Sequence, residues 1–219
     1  MNIAIDGPAG AGKSTIAKQL AKQMGYIYVD TGAMYRAMAL FFLNEKIDPA
    51  DETAIAQAAE NVDIAIRYQD GEQQVLLNGE NVNGQIRREE VGNMASATSV
   101  YPVVRKKLVA LQQKLAALEN VIMDGRDIGT CVLPDAEVKI YLTASAQARA
   151  KRRYDELCQK GETCDEAAIL QDIRERDYRD MHRSESPLKQ AEDAVCVDSS
   201  NLSVEQVLDA IQKICREKM

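Results

Sequence analysis

A three-layer α/β fold, with a parallel sheet between two layers of helices, is predicted by two patterns and a composition. Short apolar runs recur at 2–6 (NIAID), 26–30 (YIYVD), 120–124 (NVIMD), 137–142 (EVKIYL) and 194–198 (AVCVD). Helix-period stretches separate them, and strands this apolar are buried on both faces, as in a parallel sheet. The 219 residues are 46% hydrophobic and 28% charged, which suits one globular domain with room for an insertion.

The elements follow in order. NIAID runs into a glycine-rich turn, and Ser14-Thr15-Ile16-Ala17 opens a helix. YIYVD precedes a second helix that continues to about Leu43. From Val62 the pattern changes: VDIAIRY alternates, QDGE reads as a turn, and QQVLLNGENV offers another strand with Asn-Gly turn signals. This β-rich excursion interrupts the βα pattern. Residues 103–118 (VVRKKLVALQQKLAAL) are helical in composition and period. A long helix begins near Ala144, another runs from near Glu166 to about Arg183, and Pro187 limits it. The tail from Ser203 is an amphipathic helix.

Lys plus Arg total 27 against 34 Asp plus Glu, a net charge of −7. Such a surface repels polyanions, so nucleic acid and anionic membranes are not expected partners. The five cysteines, Cys131, Cys158, Cys164, Cys196 and Cys215, include no C-x-x-C pair. Neither a zinc site nor a disulfide framework fits, which points to reduced thiols and a cytoplasmic location. MNIAIDGPAG has no leader-like basic and apolar pattern, and no 18-residue apolar run follows anywhere.

Gly7-Pro8-Ala9-Gly10-Ala11-Gly12-Lys13-Ser14 fits G-x-x-x-x-G-K-S, between a predicted strand and a predicted helix. Its glycines let backbone N–H groups wrap phosphate oxygens at a helix N-terminus. Lys13 is placed to bridge the β- and γ-phosphates, and the Ser14 hydroxyl to hold Mg²⁺. The expected ATP-binding set is Gly7 to Thr15. No N-K-x-D sequence for reading guanine is present, which disfavours a GTPase.

Seven of the 14 arginines lie in 149–183: Arg149, Arg152, Arg153, Arg174, Arg176, Arg179 and Arg183. Guanidinium groups grip phosphate bidentately and neutralise charge as a phosphoryl group moves. Nine acidic residues share the window, so a solvated, salt-bridged helix pair is the competing reading. Arg176, Asp180 and Arg183 stand at i, i+4 and i+7 on one helical face, a pattern able to hold a phosphate and a sugar hydroxyl. CQKGETCD at 158–165 suits a mobile lid that would bring Arg152 or Arg153 over the phosphates and exclude water.

DTGAMYR at 30–36 follows the second strand, whose end lies at the crevice where such sheets bind ligands. Asp30 is either part of a magnesium shell or a helix cap, Thr31 offers a hydroxyl, and Arg36 is either a grip on an acceptor phosphate or surface charge. In MDGRDIGT at 123–130, Asp124 closes an apolar strand near the phosphate loop and fits a contact to magnesium or its water. Metal ligands, substrate readers and a salt-bridged turn remain open for the charges of this stretch.

DGPAGAGKS, DTGAMYR, the β-rich insert, DGRDIGT and RERDYRD occur in an order that resembles the bacterial cytidylate kinase family, from about Ile3 to the C-terminal helix. DGRDIGT and the insert set it apart from adenylate and guanylate kinases. The resemblance implies a P-loop core with a five-stranded parallel sheet at 1–61 and 97–219, an NMP-binding insert at 62–96 and a lid at about 153–165. It implies phosphorylation of CMP and dCMP by ATP with Mg²⁺, in pyrimidine nucleotide metabolism; a monomer is expected. By motif position, Ser96, Arg105 and Asp127 would read cytosine; Arg36, Arg126 and Arg176 would hold the CMP phosphate; Asp180 and Arg183 would serve the sugar. Thr31 stands where many members carry serine, so its methyl crowds the acceptor side. His182, the sole histidine, has no nucleophile beside it and reads as structural.

Transfer would be direct, from the ATP γ-phosphoryl group to a CMP phosphate oxygen. Lys13, Arg126, Arg152, Arg153 and Arg176 would position and neutralise charge, with Ser14 and Asp124 serving the metal. A related kinase for UMP or another small acceptor, and an ATP-sensing module without catalysis, are the alternatives.

Overall fold

The computed structural model describes residues 1–69 and 72–218. In chain order the elements are β1 (Asn2–Asp6), α1 (Lys13–Met24), β2 (Ile27–Asp30), α2 (Thr31–Asn44), α3 (Glu52–Asn61), β3 (Ile64–Gln69), β4 (Glu72–Leu77) and β5 (Glu80–Asn81). There follow α4 (Glu89–Thr98), α5 (Pro102–Leu118), β6 (Val121–Gly125), a π-helical turn (Ile128–Val132), β7 (Val138–Thr143), α6 (Ala146–Gln159), α7 (Glu166–His182), β8 (Val195–Asp198) and α8 (Val204–Lys218).

Two compact units divide the chain. The first comprises Met1–Tyr28 and Glu119–Met219. Its sheet has the order β2-β6-β1-β7-β8, in which β2 contributes Ile27 and Tyr28 to this unit. β1 pairs in parallel with β6 and β7, and β7 with β8. The expected five-stranded parallel sheet is therefore present. Ile3, Ala4 and Ile5 on β1 are fully buried, as a central strand covered on both faces requires. On one face Ile16 and Leu20 of α1 meet Val207, Leu208 and Ile211 of α8 over Ile122, Ile140 and Leu142. The buried positions of α8 repeat at helical spacing, which is why its isolated sequence reads as amphipathic.

The second unit is Val29–Leu118. It takes in the 62–96 segment and, beyond it, α2, α3 and α5. β3 and β4 form an antiparallel hairpin, and the expected Asp70-Gly71 turn lies outside the described residues. The Asn78-Gly79 signal is realised: both residues have positive φ, 50° and 87°, and return the chain into β5. The apolar run of α2 is buried at Met34, Met38, Leu40 and Phe42. α3 and α4 were not expected. Asp51 starts α3 by accepting a hydrogen bond from the Ala54 amide, an N-cap that reorganises the alanine-rich segment behind it.

Candidate active site

Within the first unit, the loop from Gly7 to Thr15 leaves the C-terminal end of the central strand. Gly7 runs so close to β7 that an added Cβ would lie 1.9 Å from the Leu142 carbonyl oxygen, and its φ is +149°. Only glycine lets the loop turn there. The loop enters α1, whose first turn has no acidic residue, so no side-chain carboxylate of that turn competes for the helix N-terminus. Lys13 is buried and donates from Nζ to the Pro8 carbonyl at 2.7 Å. Burial pushes its pKa well down, Arg126 adds to this, and Asp124, Asp6 and Asp180 oppose it. Phosphate oxygens at the loop would favour the charged ammonium.

Ser14 donates to Asp124 Oδ2 at 2.8 Å, and the Tyr28 hydroxyl donates to Oδ1 of the same carboxylate at 2.9 Å. Parallel pairing of β1 with β6 sets Asp124 beside Ile5, which brings it to the loop. Among the described residues no group of three or more His, Cys, Asp or Glu could hold a metal ion. The Ser14 and Asp124 oxygens are hard donors, a pair that fits a cation taking its other ligands from phosphate and water, as Mg²⁺ does.

The residues after β6 separate into two ion pairs. Arg126 Nε donates to Asp180 Oδ2 at 2.8 Å, and Asp127 Oδ1 lies 3.6 Å from Arg183 Nη2. Burial pushes the Asp180 carboxyl up, but Arg126, with Arg176 and Arg183, more than reverses this and holds its pKa below the usual value. Arg183 is the C-cap of α7, with φ −64° and ψ 144°; its amide still donates to the Arg179 carbonyl at 3.1 Å, so it keeps helical phase with Arg176 and Asp180 while the chain beyond it leaves the helix.

Three side chains at the loop and the strand ends beside it went unnamed in the sequence, Asp6, Tyr28 and Ser199, and a fourth, Arg149, stood only within the arginine-rich window. Asp6, at the end of β1, accepts from the Ile128 and Gly129 amides at 2.7 Å each and so anchors the turn that carries Asp127. Arg149 is buried, donates to the Ala9 carbonyl of the loop at 2.9 Å, and forks onto Asp177 at 3.0 and 2.5 Å. Tyr28 holds Asp124. Ser199 donates to Ala11 O at 3.3 Å and to Thr143 O at 3.0 Å. Of the two expected lid arginines, Arg152 donates to Ser199, while Arg153 is exposed and pairs with Glu156.

The Asp6 carboxyl has a pH signature. Burial pushes it up to about 6, the two amides pull it down, Asp127 raises it and Lys13 lowers it. The unfolded chain releases this proton near 3.8, so between 3.8 and about 6 the folded chain binds more protons. Stability then falls as pH rises through that window, by about 3 kcal/mol at most, and is level above it. Urea melts from pH 4 to 7 should show this loss in the wild type, and an Asp6→Asn variant should lack it.

The second unit groups Thr31, Arg36, Ser96 and Arg105. Asp30 settles as a helix cap: it accepts from the Ala33 amide at 2.9 Å and pairs with Arg87 at 3.4 Å. Thr31 is buried at the start of α2, and Arg36, one turn on, donates to the Ile86 carbonyl at 3.2 Å. Arg105 is buried beneath the surface of α5 with its guanidinium 5.8 Å from the Tyr35 ring centroid, so it is not ordinary surface charge. Ser96 is half-buried on α4. Gly92, on the same helix, leaves room for Arg36: an added Cβ would lie 2.8 Å from Arg36 Nη1. Gly92→Ala should displace that flexible guanidinium with little change in melting temperature.

A phosphate loop at the end of the central strand, with a serine-bound aspartate on the adjacent strand, defines a P-loop kinase fold. Solved structures share it: shikimate kinase from Bacteroides thetaiotaomicron has a TM-score of 0.51 at 12% identity, covering 99% of this chain and 98% of that one. A gluconokinase from Sinorhizobium meliloti has 0.50 at 15% identity, covering 99% and 93%. The model of the cytidylate kinase family matches residues 3–217, and the chain belongs to that family. Cytidylate kinase from Caldicellulosiruptor bescii is 53% identical over 214 residues, 98% of this chain and 95% of that protein. The Pasteurella multocida cytidylate kinase is 48% identical over 206 residues, 94% and 91% of the two chains.

Proposed function

We infer that the chain transfers the γ-phosphoryl group of ATP to CMP and dCMP, giving ADP and the cytidine diphosphates. What carries the reading is one turn: Arg126 and Asp127 follow Asp124 within three residues, held by Asp6 beside the phosphate loop. An acceptor phosphate is already nucleophilic, so no covalent enzyme intermediate is needed. The protein supplies position and charge neutralisation.

The loop from Gly7 to Thr15 holds the ATP phosphates through its backbone, with Lys13 on the β- and γ-phosphates. Ser14 and Asp124 would hold Mg²⁺, which when bound offsets phosphate charge. Arg126, Arg176 and Arg36 grip the acceptor phosphate, while Asp180 and Arg183 serve its sugar side. Asp180 also aims Arg126, since their 2.8 Å contact fixes the guanidinium plane. Asp127, Arg105 and Ser96 read the base. Cytosine offers an N4 amino group that a carboxylate accepts, whereas uracil presents an oxygen there and leaves the carboxylate unmatched. Arg152 and Arg153 serve the lid, which excludes water from the transferring group.

Initial rates with ATP and Mg²⁺ against CMP, dCMP, UMP and AMP test this. CMP and dCMP should lead. A preference for AMP or UMP would overturn the base assignment, and no diphosphate from any of the four would overturn catalysis.

A further inference from the structure

The turn joining α6 to α7 brings two thiols together. Cys158 lies in the last turn of α6, and Cys164 precedes Asp165, the residue that caps α7. Their Sγ atoms are 3.9 Å apart, and both are free thiols. Cys158 is exposed and Cys164 half-buried, with its sulfur near the Tyr154 carbonyl. The remaining cysteines stand on other elements: Cys131 in the π-helical turn, Cys196 on β8, and Cys215 on the buried face of α8.

The closeness is built into the turn. The Glu162 amide donates to Leu157 O and the Gly161 amide to Cys158 O, both at 3.0 Å, with Gly161 at φ +77°. That pair of bonds is a Schellman ending, which needs a left-handed residue and so glycine at this position. It folds the chain back on the last helical turn and returns Cys164 over Cys158. A disulfide needs its sulfurs about 2 Å apart, so side-chain rotation and a small shift of the turn close the gap.

We propose that Cys158 and Cys164 form a reversible oxidation site, converted to an intramolecular disulfide by a small disulfide of the glutathione class. The Cys158 thiolate attacks one sulfur of the oxidant, making a mixed disulfide and expelling the first small thiolate. The Cys164 thiolate then attacks the Cys158 sulfur and expels the second. The two protein thiols lose two protons and two electrons, and the small disulfide takes them up to become two thiols. The order follows from exposure, and also from Cys164, whose thiol is pushed up by burial and by Cys158 beside it. The exposed thiol attacks and the half-buried one resolves.

The bond ties the last turn of α6 to the cap of α7, across the segment that the proposed function uses as a lid. This consequence rests on that reading. Pinning the turn removes freedom that lid movement uses, so turnover falls while the ground-state contacts to CMP are untouched.

The full reduced chain, incubated with glutathione disulfide, should lose about 2 Da in intact mass. Trypsin cuts after Lys160, so the oxidised chain should yield YDELCQK disulfide-linked to GETCDEAAILQDIR. CMP phosphorylation should fall several-fold in kcat with KM little changed, and dithiothreitol should restore it. The Cys158→Ser, Cys164→Ser double variant keeps the other three thiols and should be unaffected. Glutathione adducts at Cys131 or Cys196 in place of the crosslink would overturn the proposal, and a crosslinked chain with undiminished turnover would overturn its effect on the lid. The mass measurement requires no activity. A reduced chain inactive on CMP but readily crosslinked would therefore remove the functional reading and leave the oxidation site standing.

Discussion

Lys13→Ala should lower turnover of CMP by about 10³-fold, in the range of losing one preorganised charge at a phosphoryl centre. The lysine is buried, and the Pro8 carbonyl already holds its Nζ in the loop. Side-chain entropy is thus largely lost before substrate arrives, and the charge is directed at the loop interior. Burial and Arg126 both act against its charge, which Asp124, Asp6 and Asp180 support. This is a cation kept at some cost in stability, and the cost makes sense where negative charge develops during transfer. Removing it should lower kcat far more than it raises the KM for CMP, because the proposed mechanism sets the lysine on the donor phosphates. Lys13→Met keeps most of the buried volume and should show the same kinetic loss with a near-wild-type melt. Turnover of either variant within tenfold of wild type would sink the assigned role.

How much of this was legible in the sequence depended on the range of the interaction. The phosphate loop is local: glycine spacing, a strand before and a helix after, all within fifteen residues, and the structure reproduces it. The Asn78-Gly79 turn is equally local. The anchor of the Asp127 turn is not, because the Asp6 carboxylate serves amides 122 and 123 positions away. Nothing around Ile128 announces a π-helical turn; the distant acceptor satisfies the amides that would otherwise be left open at its start.

The arginines of α6 illustrate the same limit. Arg149, Arg152 and Arg153 read alike in sequence, yet Arg149 is 4% exposed and bonded to the loop while the other two lie at the surface. Helical phase brings Arg149 and Ala150 inward, but that phase is masked by a segment with almost no large apolar residue. Arg105 was obscured for the opposite reason. Its helix is rich in lysine and glutamine, and only packing with Tyr35 shows it buried. The second unit is wider than the β-rich segment because its boundaries come from long-range packing, which alternation along the chain does not report.

Asp127→Asn should remove most of the preference for cytosine, lowering kcat/KM for CMP by about 10²-fold while UMP changes little. An amide keeps the shape of the carboxylate but replaces one acceptor oxygen with a donor. Toward the cytosine N4 amino group that donor is mismatched; toward the uracil O4 it is matched. The match to cytosine is then lost while uracil is no worse placed, so the ratio of CMP to UMP efficiencies should fall about as far as the CMP efficiency itself. A second effect must be separated from this one. Asp127 and Arg183 are both 7% exposed in their side chains and 3.6 Å apart, so the neutral variant also weakens a buried ion pair. Loss of that pair would lower efficiency with both substrates together and lower the melting temperature. It has no means of reversing a base preference. If CMP and UMP efficiencies fall in parallel, Asp127 serves only to hold Arg183, and the base is read by Arg105 and Ser96; a changed ratio at a modestly changed melt assigns the discrimination to the carboxylate itself.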